Sequence, residues 1–256
     1  MKLRHLCSIS LGIVFLLGLV SLSAQDAAAD VWQQIDDLND AKDFDGAYVL
    51  LEPLAADHGD NVDYLWRIAR HHFNESDNTT DEAVIERELY QGFEFAKQAL
   101  AADSMNSYAN GYYGILIGRV GEIEGTKQKI LNSYDVAKYT ERAIELNPTY
   151  DSWQHVMGRW HYTLADLSWF ERTIASIVYA DPPEATFEEA EVFFMKAAEL
   201  ASDDIRHFLW LGKTRLELDK DDAAREALEM AVKLPMKSDS DAILQDEAKE
   251  LLEDLD

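Results

Sequence analysis

The chain has 256 residues, and its 49 Asp and Glu outweigh 23 Lys and Arg, giving a formal net charge of −26 at pH 7. That balance excludes nucleic acid and anionic membranes as bulk partners, because both attract basic surfaces. An apolar fraction of 47% is enough for a packed core, and a single cysteine excludes an internal disulfide or a cysteine-based zinc framework.

The N-terminus reads as a secretory leader. Lys2 and Arg4 form a basic start, Leu11 to Val20 an apolar run, and Ser21 to Ala24 a small-residue exit before Asp26. The apolar run is short for a bilayer span, which takes roughly 20 residues. Cleavage is expected after Ala24, with Ser23 and Ala29 as other candidates, and a retained N-terminal membrane anchor is the alternative. Cleavage removes the one cysteine, Cys7, and both leading cations, which suits a secreted or periplasmic protein. The chain then divides into residues 1–24, the leader, and residues 25–256, a single helical repeat domain.

From Val31 onward apolar residues recur at three and four positions, with no sustained alternation and no strand-length run of β-branched residues, so the fold class is all-α. Four of the five prolines fall at element ends, Pro53 being the exception, and Asp151-Ser152 and Asp203-Asp204 are helix-start signals. Internal repeats set the architecture. Gly212, on the helix opened by Leu209-Trp210-Leu211, is followed twelve, sixteen and nineteen positions later by Ala224, Leu228 and Ala231, with Pro235 closing the unit. A small residue on one helix facing small and large apolar residues on the next is the pattern of a tetratricopeptide repeat (TPR). The second-helix trio recurs as Ala190, Phe194 and Ala197; as Gly92, Ala96 and Ala99; more loosely as Val136, Thr140 and Ala143; and in degenerate form as Ala47, Leu51 and Leu54. Ala69, Gly114 and Gly158 hold the tight-approach position on the first helices.

The prediction is a TPR-like α-solenoid of about five antiparallel helix pairs. Three intervals exceed the twelve-residue norm: Ala69–Gly92, Gly114–Val136 and, by some twenty residues, Gly158–Ala190. These predict elaborated connections between the two helices of a pair. The longest holds Leu167, Phe170, Ile174, Ile177 and Val178 at helical spacing, so an inserted amphipathic helix is expected over 167–180, stopped by Asp181-Pro182-Pro183. A last helix, Asp241 to Leu252, is expected to cap the stack.

The inserted segment also carries a family resemblance. Gly158-Arg159-Trp160-His161-Tyr162, Leu167-Ser168-Trp169, Glu171-Arg172, Ala180-Asp181-Pro182-Pro183 and Phe187-Glu188-Glu189-Ala190 resemble the regulator of microtubule dynamics family, as does Tyr139 through Pro148. The resemblance extends more weakly from about Asp43 through Leu252. It implies a TPR-like helical domain without catalytic residues, acting by protein association; eukaryotic members are associated with microtubules, spindle poles and mitochondrial membranes. The leader and the acidic charge set this chain apart, since a secreted protein does not meet tubulin and acidic tubulin tails repel it. A bacterial-type periplasmic relative is the reading. Asn74-Glu75-Ser76 and Asn78-Thr79-Thr80 match the glycosylation triplet, a pattern frequent by chance.

Counting from the tight-approach residue, positions −3, +1 and +4 share a stripe of the first helix. This places Trp66, Arg70 and Phe73; His155, Arg159 and Tyr162; and Leu209, Lys213 and Leu216 on a predicted inner wall, with Arg119 beside the equivalent stripe. The expected function is a scaffold whose groove takes a peptide or elongated ligand with a carboxylate or phosphate. Arginine would hold the acid through paired hydrogen bonds, and Trp66 and Tyr162 would supply apolar contact. The alternative is that these cations pair with nearby acidic side chains. Trp153, Trp160 and Trp169 are expected to pack in the core, Trp160 deepest; alternatively the inserted helix covers an apolar cavity for a lipid.

An enzyme is not expected. His71 and His72 point about 100° apart on a helix, and His155 and His161 are too far apart for a shared face, so no metal site is predicted. The acidic pairs Asp36-Asp37, Glu188-Glu189 and Asp221-Asp222 sit at helix starts or solvated faces. Gly118, Gly121 and Gly125 lack the strand and Lys-Ser/Thr of a phosphate loop. No cofactor is implied.

Overall fold

The computed structural model describes residues 30–178 and 181–255. The expected leader, residues 1–24, lies outside them, as does Ala180 at the end of the expected insertion. Among the described residues every regular element is a helix, and none is long and apolar enough to cross a membrane.

The chain divides into two compact units, Met1–Leu54 and Ala55–Asp256. The described part of the first holds a helix over 30–40 (α1), a second over Phe44–Leu51 (α2) and a 3₁₀ turn over Glu52–Leu54 that contains Pro53. Ile35, Ala47 and Leu51 are its buried residues, and the Asp43 side chain caps α2 by accepting from the Gly46 amide.

The second unit begins with a single turn, Ala55–His58 (α3), followed by α4 (Val62–Asp77), α5 (Glu82–Ala102), α6 (Ser107–Glu124), α7 (Thr126–Leu146), α8 (Asp151–Ala165), α9 (Trp169–Val178), α10 (Phe187–Leu200), α11 (Ile205–Glu217), α12 (Asp221–Lys233) and α13 (Asp239–Glu253). Polar caps start most of them: Asn61, Asp81, Asn106, Thr186 and Asp204 each accept from an amide of the first turn. Four hairpins pack in sequence: α4 with α5, α6 with α7, α8 with α10, and α11 with α12.

The tight approaches fall where the repeat spacing puts them. A Cβ built on Gly158 would stand 2.7 Å from the Phe194 ring, on Gly212 2.6 Å from Leu228, and on Gly114 2.7 Å from Thr140. Phe194 and Leu228 are fully buried, so each glycine opens the space that its partner fills.

Two of the three long intervals have a different cause from the one expected. α4 and α5 have 16 and 21 residues, and α6 and α7 have 18 and 21, against 13 each for α11 and α12. The extra residues extend the helices instead of elaborating the connection, which between α6 and α7 is the single residue Gly125 at φ 91°. Such a left-handed backbone favours glycine. Along this long contact Gly111, Gly114, Gly118 and Gly121 keep α6 close to its neighbours.

Among the described residues, only the fourth repeat carries an inserted helix, α9. The Arg172 guanidinium donates to the Leu164 carbonyl and Ala175 is buried, but Ile177 and Val178 are 79% and 59% exposed. The expected apolar stripe therefore does not seat its last two members. The aromatic expectation is also corrected: Trp153 is fully buried, whereas Trp160 is only half-buried, its indole N–H donating to the Ser133 carbonyl at 2.8 Å. The side chain of Trp169 lies outside the description.

α13 caps the stack as expected. Ala248 joins Ile205, Leu209, Leu228 and Ala231 in one apolar cluster. Gln245 Nε2 donates to the carbonyls of Ala231, Val232 and Leu234, which lie at the α12 terminus where carbonyls lack intrahelical partners.

Candidate functional site

The first helices of the hairpins, α4, α6, α8 and α11, share a polar face whose groups reach from one helix to the next. Arg119 of α6 pairs with Asp77 of α4 and, at 3.3 Å, with Glu122 one turn along. Lys213 of α11 bonds Glu247 of α13 at 2.6 Å. Tyr162 of α8 has its hydroxyl 3.4 Å from Glu217 of α11. Arg159 of α8 holds its guanidinium over the ring of Trp210 of α11, 3.9 Å from the centroid, and Lys213 Nζ lies 4.3 Å from the same centroid.

Trp210 is thus the platform of the site. Its ring also meets Tyr162 edge-on at 5.2 Å and lies parallel to Phe194 at 6.1 Å, so it is fixed from the core side. A cation over an indole is worth about 0.5–1 kcal/mol in the open and more when desolvated.

The cations on this face are not equivalent. Arg119 and Lys213 already have carboxylates. Arg159 is exposed, and among the described residues it has no ion pair; its N–H donors are unspent. Desolvation by surrounding protein pushes its pKa below the ordinary arginine value, with Glu122 acting against this. Tyr162 is pushed up to about 12, first by burial and then by Glu217 and Asp166, so it stays a phenol. Glu217 is exposed and, among the described residues, pairs with no cation.

The predicted wall residues separate by position. The −3 residues lie inside the fold: Trp66 and Leu209 are buried, and so is His155. Arg70 is buried too, 4.9 Å over the Trp66 ring, because α4 turns its +1 position towards an aromatic cluster. There Trp66 stacks on Tyr108 at 4.3 Å, and Tyr108 meets Tyr150 and Trp153 edge-on. Phe73 lies under Arg119 at 5.8 Å, and Leu216 packs on the cluster around Leu209. Arg119, Arg159, Tyr162 and Lys213 do come together on the polar face. The polar face is built from the +1 and +4 positions together with their neighbours at −2, +5 and +8, and not from −3. It therefore includes Trp210, Glu217, Asp77 and Glu122, which the stripe omitted. Trp210 two positions before Gly212 was the available signal.

His155 belongs instead to a buried polar cluster between α8 and α11. His207, fully buried, places Nδ1 3.0 Å from His155 Nδ1 and Nε2 3.0 Å from Asp151 Oδ2. A chain in which His155 donates to His207, and His207 to Asp151, satisfies all three groups. Burial, then His207, pushes the His155 pKa well below its ordinary value, so it is neutral. Asp204 accepts from Arg206 at 2.6–3.1 Å. Desolvation raises its pKa, but Arg206 outweighs this and holds the carboxyl well below the usual range. Asp151, Asp204 and His207 have potential ligand atoms within 4.8 Å of one another. Each is already engaged by a protein partner, so the cluster reads as a structural tie between repeats.

A family profile described as regulator of microtubule dynamics protein 1-3 matches residues 31–256. The chain is 35% identical over 225 residues to regulator of microtubule dynamics protein 1 of Bos taurus, covering 87% of this chain and 70% of the relative. It is 32% identical over 218 residues to the protein of the same name in Caenorhabditis elegans, covering 85% and 96%. Among solved structures, a thermophilic TPR protein of Thermus thermophilus superposes with a TM-score of 0.60 at 15% identity, over 88% of this chain and 98% of that one. That likeness concerns the fold alone: a TPR-like α-solenoid.

Proposed function

The chain belongs to the regulator of microtubule dynamics family, and we propose that it is a non-enzymatic scaffold that holds an extended peptide segment of a partner protein against its α4–α6–α8–α11 face. The observation that carries this reading is Arg159: an exposed guanidinium on an aromatic platform, with no ion-pair partner of its own among the described residues. An arginine left in that state is a ready donor for a carboxylate, and Trp210 and Tyr162 beside it supply rigid apolar contact. Stacked-repeat proteins commonly bind through one extended face built by successive repeats.

The chain's charge of −26 disfavours attachment to a strongly acidic surface, polymerised tubulin included. With the basic, apolar and small-residue order of the first 24 residues, the reading places the scaffold in an extracytoplasmic space, where its partner is another protein.

A photo-crosslinking amino acid at Tyr162, compared with the same group at Met195 on the outward side of α10, tests the face. In extracts of the source organism, adducts are expected from position 162 at several times the yield from position 195. Equal yields at both positions would overturn the assignment of this face.

A further inference from the structure

The polar face carries two charged groups without ionic partners among the described residues, and they have opposite signs: the Arg159 guanidinium and the Glu217 carboxylate. Two rings join them. Arg159 lies 3.9 Å from the Trp210 centroid, Trp210 meets Tyr162 at 5.2 Å, and the Tyr162 hydroxyl reaches Glu217 at 3.4 Å. Around this pair the other charges are already matched, Arg119 with Asp77 and Glu122, and Lys213 with Glu247. A run of acidic residues would meet Asp77, Glu122 and Glu217, while a run of basic residues would meet Arg159, Arg119 and Lys213. This arrangement suits one negative and one positive group joined by an apolar stem.

Resting on the peptide-binding reading above, we propose that the face recognises the C-terminus of a partner chain ending in lysine or arginine. The terminal α-carboxylate takes the Arg159 guanidinium through paired N–H···O bonds. The side-chain cation takes Glu217, and its methylene stem lies along the Tyr162 ring that stands between Trp210 and Glu217, as long cationic side chains cover apolar surface while keeping their heads polar. One terminal residue holds both charges. It therefore orders fewer rotatable bonds than an internal acid–base pair spread over two residues, and costs less conformational entropy on binding. Tyr162 stays protonated and keeps donating to Glu217, which leaves that carboxylate's other oxygen for the ligand.

The test uses immobilised full-length protein and three pools of synthetic heptapeptides, random at six positions: C-terminal lysine as the free acid, the same pool as the C-terminal amide, and C-terminal leucine as the free acid. Retained peptides are quantified by mass spectrometry for wild type, Arg159→Gln and Glu217→Gln; both residues are exposed, and circular dichroism verifies that the variants are folded. Wild type is expected to retain lysine acids about tenfold or more over the amides and over the leucine acids, the worth of one charge-assisted contact each. Arg159→Gln should erase the preference for acid over amide and keep that for lysine over leucine, and Glu217→Gln should do the reverse. Retention of peptides with no preference at the terminus, or with selected internal acid–base pairs, overturns this proposal and leaves the peptide-binding face standing. Retention of no pool by wild type overturns both.

Discussion

Gly111 and Gly118 lie two turns apart in α6, so replacing each by alanine gives the same gain in helix propensity, about 0.8–1 kcal/mol. Their surroundings differ. A Cβ on Gly118 would meet only Val136 Cγ2, at 3.1 Å, a contact that a shift of a few tenths of an ångström relieves. A Cβ on Gly111 would fall onto three atoms of the six-membered ring of Trp153. That ring has nowhere to go: Trp153 is fully buried, its indole N–H donates to Ser107 Oγ at 2.9 Å, and it is flanked by Tyr108, Tyr112 and Tyr150 at 6.0, 5.5 and 4.7 Å. Overpacking of such a site costs about 3 kcal/mol, the upper end of the usual range. Gly111→Ala is therefore expected to lose about 2 kcal/mol net, and Gly118→Ala to gain up to about 1 kcal/mol. For a chain of this size that corresponds to a Tm lower by about 4–8 °C for the first and higher by about 1–4 °C for the second. Urea denaturation followed by circular dichroism, with near-ultraviolet spectra to report on the tryptophans, measures both. Equal midpoints for the two variants would refute the packing argument, since propensity alone cannot separate them.

Other outcomes follow from the polar ties. Glu191 joins α10 to Arg215 at 3.0 Å and to Lys220 at 2.5 Å; burial alone would raise its pKa, but the two cations hold it below the usual carboxylate range. Glu191→Gln should cost about 1–2 kcal/mol in urea denaturation, mostly through the half-buried Arg215 because exposed Lys220 is screened, and a cost below about 0.5 kcal/mol would contradict this. His155 is buried with a folded pKa well below its unfolded value near 6.5, so the unfolded state binds the extra proton first as pH falls. Arg206 and Arg159 reinforce the depression and Asp204 opposes it. Stability is thus expected to be undiminished by this group above about pH 6.5 and to fall below it, by up to about 1.4 kcal/mol per pH unit, with a shallower fall in His155→Gln. Identical acid limbs for wild type and variant would show that His155 does not carry the effect.

Much of the architecture is written in local sequence. The twelve-residue spacing from Gly212 to Ala224, and the matching trios headed by Ala190 and Gly92, determine hairpins because a missing side chain on one helix must be answered by a filling one on the next. Pro182 and Pro183 end the segment that α9 begins, and Asp204 starts α11, since helix ends are governed by groups within one turn. What lay beyond local sequence were the quantities set by other helices. Long intervals between Ala69 and Gly92, or Gly114 and Val136, look alike whether a loop or two lengthened helices fill them; only packing along the whole of α6 and α7 decides for the helices. The facing of α4, α8 and α11 is set the same way. Periodicity fixed which residues share a stripe, but the neighbouring helices decided which members are covered, burying Trp66, Arg70 and His155 and leaving Arg159 and Glu217 exposed. The sequence by itself determined that cations and aromatics recur on one side of the first helices. Which of those cations keeps its charge unspent was decided by the tertiary structure, because ion pairing depends on carboxylates such as Asp77 and Glu247 that come from other helices and stop short of Arg159.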